Sequence, residues 1–513
     1  MRVDVRAVVV CSALFSATLV VAVWSIMVGD FPLSARQVLS AVFGDGGDDA
    51  EFIVQTLRLP RALTAILVGA ALGMSGAVFQ SIARNPLGSP DIVGFQQGAA
   101  FGAVLVIVYW GGSSLAVAGG AVAGGIITAL LVYVLAWKRG LSSSRLVLVG
   151  IGIGFTATAG VDYLITRADI YDVQRAAVWL TGSLNGRSWD HVRTVGFALL
   201  VLAPLVIIGQ RSLDRLDLGD DAAAALGVRV NRAKLGLIVL AVGLSALAVA
   251  AAGPIAFIAF VAGPIARRMV NSPNACVVPA AFVGAFVLSI ADLAARRVLA
   301  PTELPVGIMT AVIGAPTDRR TVIVRRAALA AAILVAATSA CGDSDETSNA
   351  STVPPTTVTT TVTTTVPATT ATTTMPATTM PATTVTATST APVPSERIIP
   401  LDGDVAEIVF ALGFGDQVVA TDLSATYPPE ADALPQIGYQ RALTAEPIAA
   451  FEPTLLIGTD IAGPPETLDD LERLGFPLVI VPSNASSTGA AEKIMAVADA
   501  LGAADDGAVL AAQ

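Results

Sequence analysis

Ten apolar runs crowd the first 316 residues, most of them close to the ~20 residues an α-helix needs to cross a bilayer. They lie near 7–28, 60–80, 92–110, 114–137, 145–166, 191–209, 234–252, 255–270, 277–297 and 302–317. The spacing predicts an all-α polytopic membrane bundle of about 10 transmembrane helices over 1–317. Charged residues make up only 14% of the chain, against about 25% in a soluble domain. That excludes a single soluble enzyme and, for most of the length, disorder. Aromatics supply only 5%, so Ala, Val, Leu, Ile and Gly carry the apolar excess. Small residues such as Gly69, Ala70, Gly73 and Gly76 allow membrane helices to approach closely around a translocation path.

The formal net charge of -10 belongs to two different segments. From Cys341 onward the chain holds 22 Asp and Glu against 4 Lys and Arg, leaving 18 acids and 26 bases before it. With the N-terminus inside, the connections after the second, fourth, sixth and eighth runs carry Arg84; Lys138, Arg139 and Arg145; Arg211, Arg215, Arg229, Arg232 and Lys234; and Arg267 and Arg268. This matches the excess of Lys and Arg on cytoplasmic loops. The connection after the first run, with Asp45, Asp48, Asp49 and Glu51, falls outside.

Beyond 317 the composition changes twice. Arg325 and Arg326 precede a short apolar stretch, 327–340, that ends in small residues before Cys341. Its length suits a signal-peptide core better than a span; the other reading is an additional transmembrane anchor. Either way, the remainder of the chain emerges outside. Residues 342–394 are a Thr- and Pro-rich low-complexity linker of about 53 residues, which as a flexible coil reaches roughly 40 Å and at full polyproline extension about 165 Å. Over 395–513, short β-rich runs (RIIPL, QVVAT, TLLIG, PLVIV) alternate with helical patterns, which predicts a Rossmann-like α/β lobe on a parallel sheet. At about 120 residues it makes one lobe, and a two-lobed protein would begin its second after Gln513. Cys11, Cys276 and Cys341 are too far apart for a metal motif or disulfide framework.

Several long motifs over 1–316 resemble the permease subunits of ABC importers for cobalamin, iron-siderophores and haem. They are RLPRALTAILVGAALGMSGAVFQSIARNPLGSPDIVGFQQGAAFGAVL at 58–104, WLTGSLNGRSW at 179–189, LGDDAAAALGV at 218–228, GPIAFIAFVAGPIARRMV at 253–270 and ADLAARRVLAPTELPVGIMTAVIGAP at 291–316. The resemblance implies that the loop holding Leu218, Gly219, Asp220, Asp221, Leu226 and Gly227 docks on an ATPase dimer. It also implies a permease homodimer, and that Arg58, Arg61 and Arg296 receive carboxylates from a docked binding protein; from position alone, these arginines read as interfacial side chains that snorkel. The segment 325–341 resembles a lipoprotein signal with Cys341 as the lipidated residue, although Thr338 stands where such signals usually carry Leu. Thr317, Asp318, Arg319 and Arg320 follow the last run where the family continues with apolar and aromatic residues.

The outer lobe resembles the N-terminal lobe of haem-type periplasmic binding proteins over 401–459 and 462–482. In that group the Tyr of a GYxR motif coordinates ferric iron, which places Tyr439 as ligand with Arg441 as partner for phenolate or propionate. The matching docking carboxylate is Glu466, which also suits the positive end of a helix dipole. Elimination supports Tyr439 independently. Protein ligands for haem iron are His, Cys, Met or Tyr; the single His is His191 in the permease, and the lobe offers only Met495, Tyr427 and Tyr439. A guanidinium two residues away favours a phenolate and so selects Tyr439 over Tyr427.

None of Lys138, Lys234 and Lys493 follows a Gly, so no Walker A motif exists. ATP hydrolysis is expected in a separate subunit, with no enzyme site, no nucleic-acid partner and no permanently bound cofactor in this chain. The expectation is a permease at the bacterial plasma membrane, in contact with lipid, fused to an incomplete haem-binding lobe outside, with haem as transported ligand. Ferric-siderophore or cobalamin import is the nearest alternative. A membrane-anchored haem sensor or scavenger, or an artefact joining two genes, are the others.

Overall fold

A computed structural model of the protein describes residues 5–29, 33–44, 48–86, 88–111, 113–138, 142–298, 303–314, 396–483 and 489–512. The segment 325–341 with Cys341, the linker 342–394 and the residues 317–320 lie outside them. At Glu466 the backbone alone is described.

The membrane body is helical: α1 (Val5–Met27), α2 (Ala35–Phe43), α3 (Asp48–Phe52), a π-helical turn (Ile53–Arg58), α4 (Leu59–Ala83), α5 (Phe95–Trp110), α6 (Ser114–Ala136), α7 (Ser143–Ile165), α8 (Ile170–Leu180), α9 (Trp189–Leu216), α10 (Asp220–Ala225), α11 (Val230–Ala252), α12 (Ile258–Val270), α13 (Val277–Arg297) and α14 (Val306–Gly314). Every apolar run contains a helix. Among the described residues, seven helical segments are long and apolar enough to cross a membrane. The runs at 92–110, 255–270 and 302–317 form shorter helices of 16, 13 and 9 residues. The amphipathic α2 and α8 and the π turn are additions that hydropathy did not register.

Helix α4 forms the centre and packs on α9, α11, α12 and α13. Its glycines make this possible: a Cβ on Gly73 would strike the carbonyl of Ala280, and one on Gly76 the carbonyl of Ala259. Without large side chains the backbones approach closely, and dispersion and packing replace a hydrophobic force that lipid does not provide.

Two breaks interrupt this bundle, at 84–94 and 253–257. Irregular backbone packed among apolar helices needs protein partners for its polar groups, and side chains supply some of them at these two breaks. Gln80 Nε2 donates to the carbonyls of Pro86 (2.9 Å) and Phe260 (2.8 Å). The Phe257 amide donates to Asp91 Oδ2 (3.3 Å), and Gln97 Nε2 to the Asp91 carbonyl (2.9 Å). Phe257 takes a φ of +69°, a left-handed turn that directs the chain into α12.

The lobe holds a parallel three-stranded sheet in the order β1 (Ile398–Pro400), β2 (Leu455–Thr459), β3 (Leu478–Val481), with Ile398 opposite Leu455 and Leu456 opposite Leu478. Around it lie α15 (Gly403–Ala411), α16 (Pro429–Asp432), α17 (Ala445–Ala449), α18 (Pro465–Arg473), α19 (Gly489–Leu501) and α20 (Ala504–Ala511). Ile399, Leu401, Ile448, Leu456 and Leu471 are buried in one cluster, and Ile398, Val405, Val409, Ile457 and Val497 in another. The QVVAT run does not extend the sheet as a full strand. It makes one bridge, Ile398 with Val418, and then Thr421 pairs with Gln436, because the chain turns away to build the loops at the sheet's carboxyl edge.

Candidate functional site

The carboxyl edge of a parallel sheet is where ligand sites form, since the connecting loops converge there. In the lobe, three loops meet at this edge and are joined by backbone hydrogen bonds. The Leu423 amide donates to the Gly438 carbonyl (2.9 Å), the Gly463 amide to the Gln440 carbonyl (2.9 Å), and the Leu443 amide to the Gly463 carbonyl (2.9 Å). Gly438 has a φ of +109°, a conformation that L side chains rarely adopt. It turns the chain so that Tyr439 follows on the surface, closed by the Ala442 amide on the Tyr439 carbonyl at 2.8 Å. Tyr439 is 42% exposed, and Leu423 and Tyr427 on linked loops are exposed as well. Arg441, two residues on, is half-buried. Met495, on α19, is half-buried too, while its helix contributes Val497, Ala498 and Leu501 to the buried set.

Acids line the base of this edge. Asp402 Oδ2 accepts from the Thr459 amide and from Thr459 Oγ1, each at 2.8 Å. Burial, reinforced by the neighbouring Asp404, pushes the Asp402 carboxyl up to about 7. Burial also works against the Asp404 charge, but hydrogen bonds from Asp402 and Lys493 overcome it and hold that carboxyl below its ordinary range. Asp422 Oδ2 accepts from the Ser424 amide (3.0 Å) and Oγ (2.7 Å), and burial raises its pKa. Sequence reasoning passed over Asp402, Asp404 and Asp422, although LDGDV before a helix carries an N-cap signal.

The three arginines of the permease meet different partners. Arg61 directs Nε and Nη2 at Asp292 Oδ1 (3.1 and 3.0 Å) and Nη1 at Glu303 Oε2 (2.8 Å). Arg296 donates to the Ser25 carbonyl at 3.0 Å and faces Asp292 Oδ2 at 3.7 Å. Both arginines are engaged within the permease. Arg58 hydrogen-bonds the lobe through Glu446: Nε lies 3.0 Å from Oε2, and Nη2 pairs with Oε1; the Glu446 charge also reaches Arg296. Its Nη1 also donates to the Ile26 carbonyl at 2.6 Å. Glu466 opens α18, twenty residues further on. Asp292, Glu303 and Glu446 were missed because their partners lie 231, 242 and 388 residues away, a separation that leaves no local signal.

At the other end of α4, the loop 217–229 folds around the short helix α10. Asp220 pairs with Lys234 Nζ at 2.7 Å and lies 3.8 Å from Arg84. Lys234 is 1% exposed, so this pair anchors the loop to α11. Ala223 is fully buried, whereas Leu218 and Leu226 are 67% and 54% exposed. Asp221 and Gly227 face solvent and Gly219 begins the turn. A small anchored helix thus carries an apolar tip of the kind a partner protein covers. Beside it, burial pushes the Asp217 carboxyl up to about 6 against the opposing pull of Arg267.

A bundle of membrane-crossing helices built on glycine contacts, with a covalently attached α/β lobe at one end and an exposed anchored helix at the other, defines a transport permease carrying a binding-protein module. The chain belongs to the FecCD transport family, whose family model matches residues 17–317; a periplasmic binding protein family model matches residues 398–513. The ferric enterobactin transport system permease FepG of Escherichia coli is 41% identical over 309 residues, covering 60% of this chain and 94% of that permease. A metal-chelate type ABC transporter solved in an inward-facing conformation covers 60% of this chain and 97% of its own, at 29% identity and a TM-score of 0.54. The periplasmic haem-binding protein RhuT from Roseiflexus sp. RS-1 is 53% identical across 23% of this chain and 45% of that one, with a TM-score of 0.23.

Proposed function

We propose that the chain is the multi-pass permease of an ABC importer that carries haem across the bacterial plasma membrane, with its own tethered lobe collecting the ligand on the outer side. The observation that carries the haem assignment is Tyr439 on an accessible Gly438–Arg441 turn at the sheet's carboxyl edge. A phenol oxygen is an accepted axial ligand for haem iron. In this reading Tyr439 binds ferric iron as phenolate, and Arg441 neutralises the phenolate or a propionate. The turn's backbone hydrogen bonds fix the main chain from which Tyr439 projects.

Transport then needs two further partners. An ATPase dimer in a separate subunit engages the loop of Leu218, Gly219, Asp220, Asp221, Leu226 and Gly227, and a second copy of the permease completes the pathway. The linker 342–394, anchored at Cys341 by lipid or by an uncleaved helix at 325–341, raises the concentration of lobe above the pore. The lobe docks at the Arg58, Arg61 and Arg296 end of the bundle. A second reading, import of a ferric siderophore, is favoured by the 41% identity to the enterobactin permease and does not require Tyr439.

Hemin titration of the full-length protein in detergent tests the choice. The expected result is a high-spin tyrosinate spectrum that Tyr439→Ala abolishes and Tyr427→Ala leaves intact. A spectrum unchanged by Tyr439→Ala removes the haem assignment and leaves the siderophore reading.

A further inference from the structure

Helix α12 carries Pro264 in its interior. A proline has no N–H to give the carbonyl four residues back, so the Phe260 carbonyl loses its partner within the helix. A neighbouring helix supplies one. Gln80, buried on the last turns of α4, donates from Nε2 to that carbonyl at 2.8 Å. The same Nε2 donates to the Pro86 carbonyl, in the break at 84–94, at 2.9 Å. Glycine at 263 leaves room for this crossing, because a Cβ there would strike Gln80 Oε1.

Ser81, the next residue and fully buried, makes a second crossing two turns further along α12. Its Oγ accepts from Arg267 Nη2 at 2.5 Å and faces Asp217 Oδ2 at 3.5 Å. Phe260, Gly263 and Arg267 fall at i, i+3 and i+7, which is one face of a helix. That face is therefore fastened twice to α4, once beside the break at 84–94 and once at the base of the loop 217–229. The far end of α12 is tied as well, since the Phe257 amide reaches Asp91 Oδ2 at 3.3 Å. Helix α12 is a strut that runs from the base of the loop to the place where the two breaks meet.

We propose that Gln80 and Ser81 are positioning residues for transport, making the two breaks follow the loop 217–229 through α12. This rests on an ATPase engaging that loop, but not on which ligand is carried. Apolar contact alone would keep α12 buried yet leave its register on α4 loose. A buried amide and a buried hydroxyl are directional and costly to leave unpaired, so they fix where along α4 the helix sits. A shift of the loop at Asp217 then moves α12 as a body, and with it Phe257 and Asp91.

Hydrogen exchange on the full-length chain with its ATPase in detergent, before and after addition of a non-hydrolysable ATP analogue, tests this. In unaltered protein, amides across 88–93 and 255–262 should change their exchange rate at least fivefold when the nucleotide is added. The decisive variant is Gln80→Leu combined with Pro264→Ala, in which α12 regains its own N–H for the Phe260 carbonyl while the tie to α4 is gone. Its Tm should stay within a few degrees of the unaltered protein and the ATPase should still co-purify, but the nucleotide response of both segments should be lost. Ser81→Ala should lose it too. A double variant that keeps the response, one whose Tm falls together with the response, or unaltered protein that binds ATPase and nucleotide without responding overturns the proposal. Should the double variant not fold, Gly263→Ala, which displaces the Gln80 side chain, is read against the same outcomes. An unaltered chain that binds no ATPase refutes the importer reading itself, and this proposal with it; haem uptake enters neither result.

Discussion

The two ends of α4 solve opposite problems with the same residue types. At the Arg58 end, charges are drawn inward: Arg61 and Asp292 are 11% and 2% exposed, and the arginines interlock with acids from α13 and the segment before α14. At the Arg84 end, one ion pair, Lys234 with Asp220, serves as an anchor, and what projects is apolar, Leu218 and Leu226. A buried charge network resists change, because removing one member strands the others away from water. An apolar tip on an anchored helix costs little to keep and is available to a partner. The difference teaches where each end is specific: the Arg58 end by charge geometry, the Arg84 end by shape.

Breaking the network at the Arg58 end should have the largest effect on the fold. Asp292→Asn leaves Arg61 and Arg296 short of their shared counter-charge and should destabilise the body by about 3–5 kcal/mol, the usual cost of halving a buried ion pair, read as a lowered Tm in detergent. A Tm unchanged within error would mean that this end is not held by charge. At the Arg84 end, Leu226→Asp should reduce co-purification of the ATPase and ATP-driven uptake at least tenfold while leaving the Tm of the permease alone. A parallel loss of Tm would place Leu226 in the core instead. A finer contrast lies within α10: Asp220→Asn should impair uptake severalfold by freeing the anchor, and its neighbour Asp221→Asn should do almost nothing.

The smallest expected effect is a pH slope in the lobe. Asp402, raised to about 7 from an unfolded value near 3.9, holds its proton more tightly when folded. Its contribution to stability is therefore present below about pH 4 and lost as pH rises through about 7. Asp404, held low, works the other way. In full-length protein, Asp402→Asn should raise the lobe's Tm by a few degrees at pH 8 and by less than half as much at pH 5. An equal shift at both values would contradict the burial account of Asp402.

Much of this molecule is legible in its sequence because the relevant signals are local. Hydropathy marks each membrane helix, the glycines of α4 announce close packing, and GYQR carries its own turn. The parts that were not legible depend on partners far along the chain. Asp292, Glu303 and Glu446 look like ordinary surface acids until tertiary packing brings arginines to them. The breaks at 84–94 and 253–257 contain the dipeptides NP, SP and GP, which are turn signals, and they fall at gaps between the apolar runs; the hydrogen bonds of Gln80 and Asp91 that tie them to distant segments had no local signal. QVVAT has the composition of a strand, but Thr421 is pulled to the 435–437 segment instead.

The central claim is that this chain moves haem by way of Tyr439, and ATP-driven uptake by proteoliposomes containing the full-length protein and its ATPase tests it most directly. The predicted result is haem accumulation that requires ATP and falls at least tenfold in Tyr439→Ala, with ferric enterobactin neither transported nor competing. Uptake of the siderophore with no uptake of haem, or haem uptake indifferent to Tyr439→Ala, would contradict it.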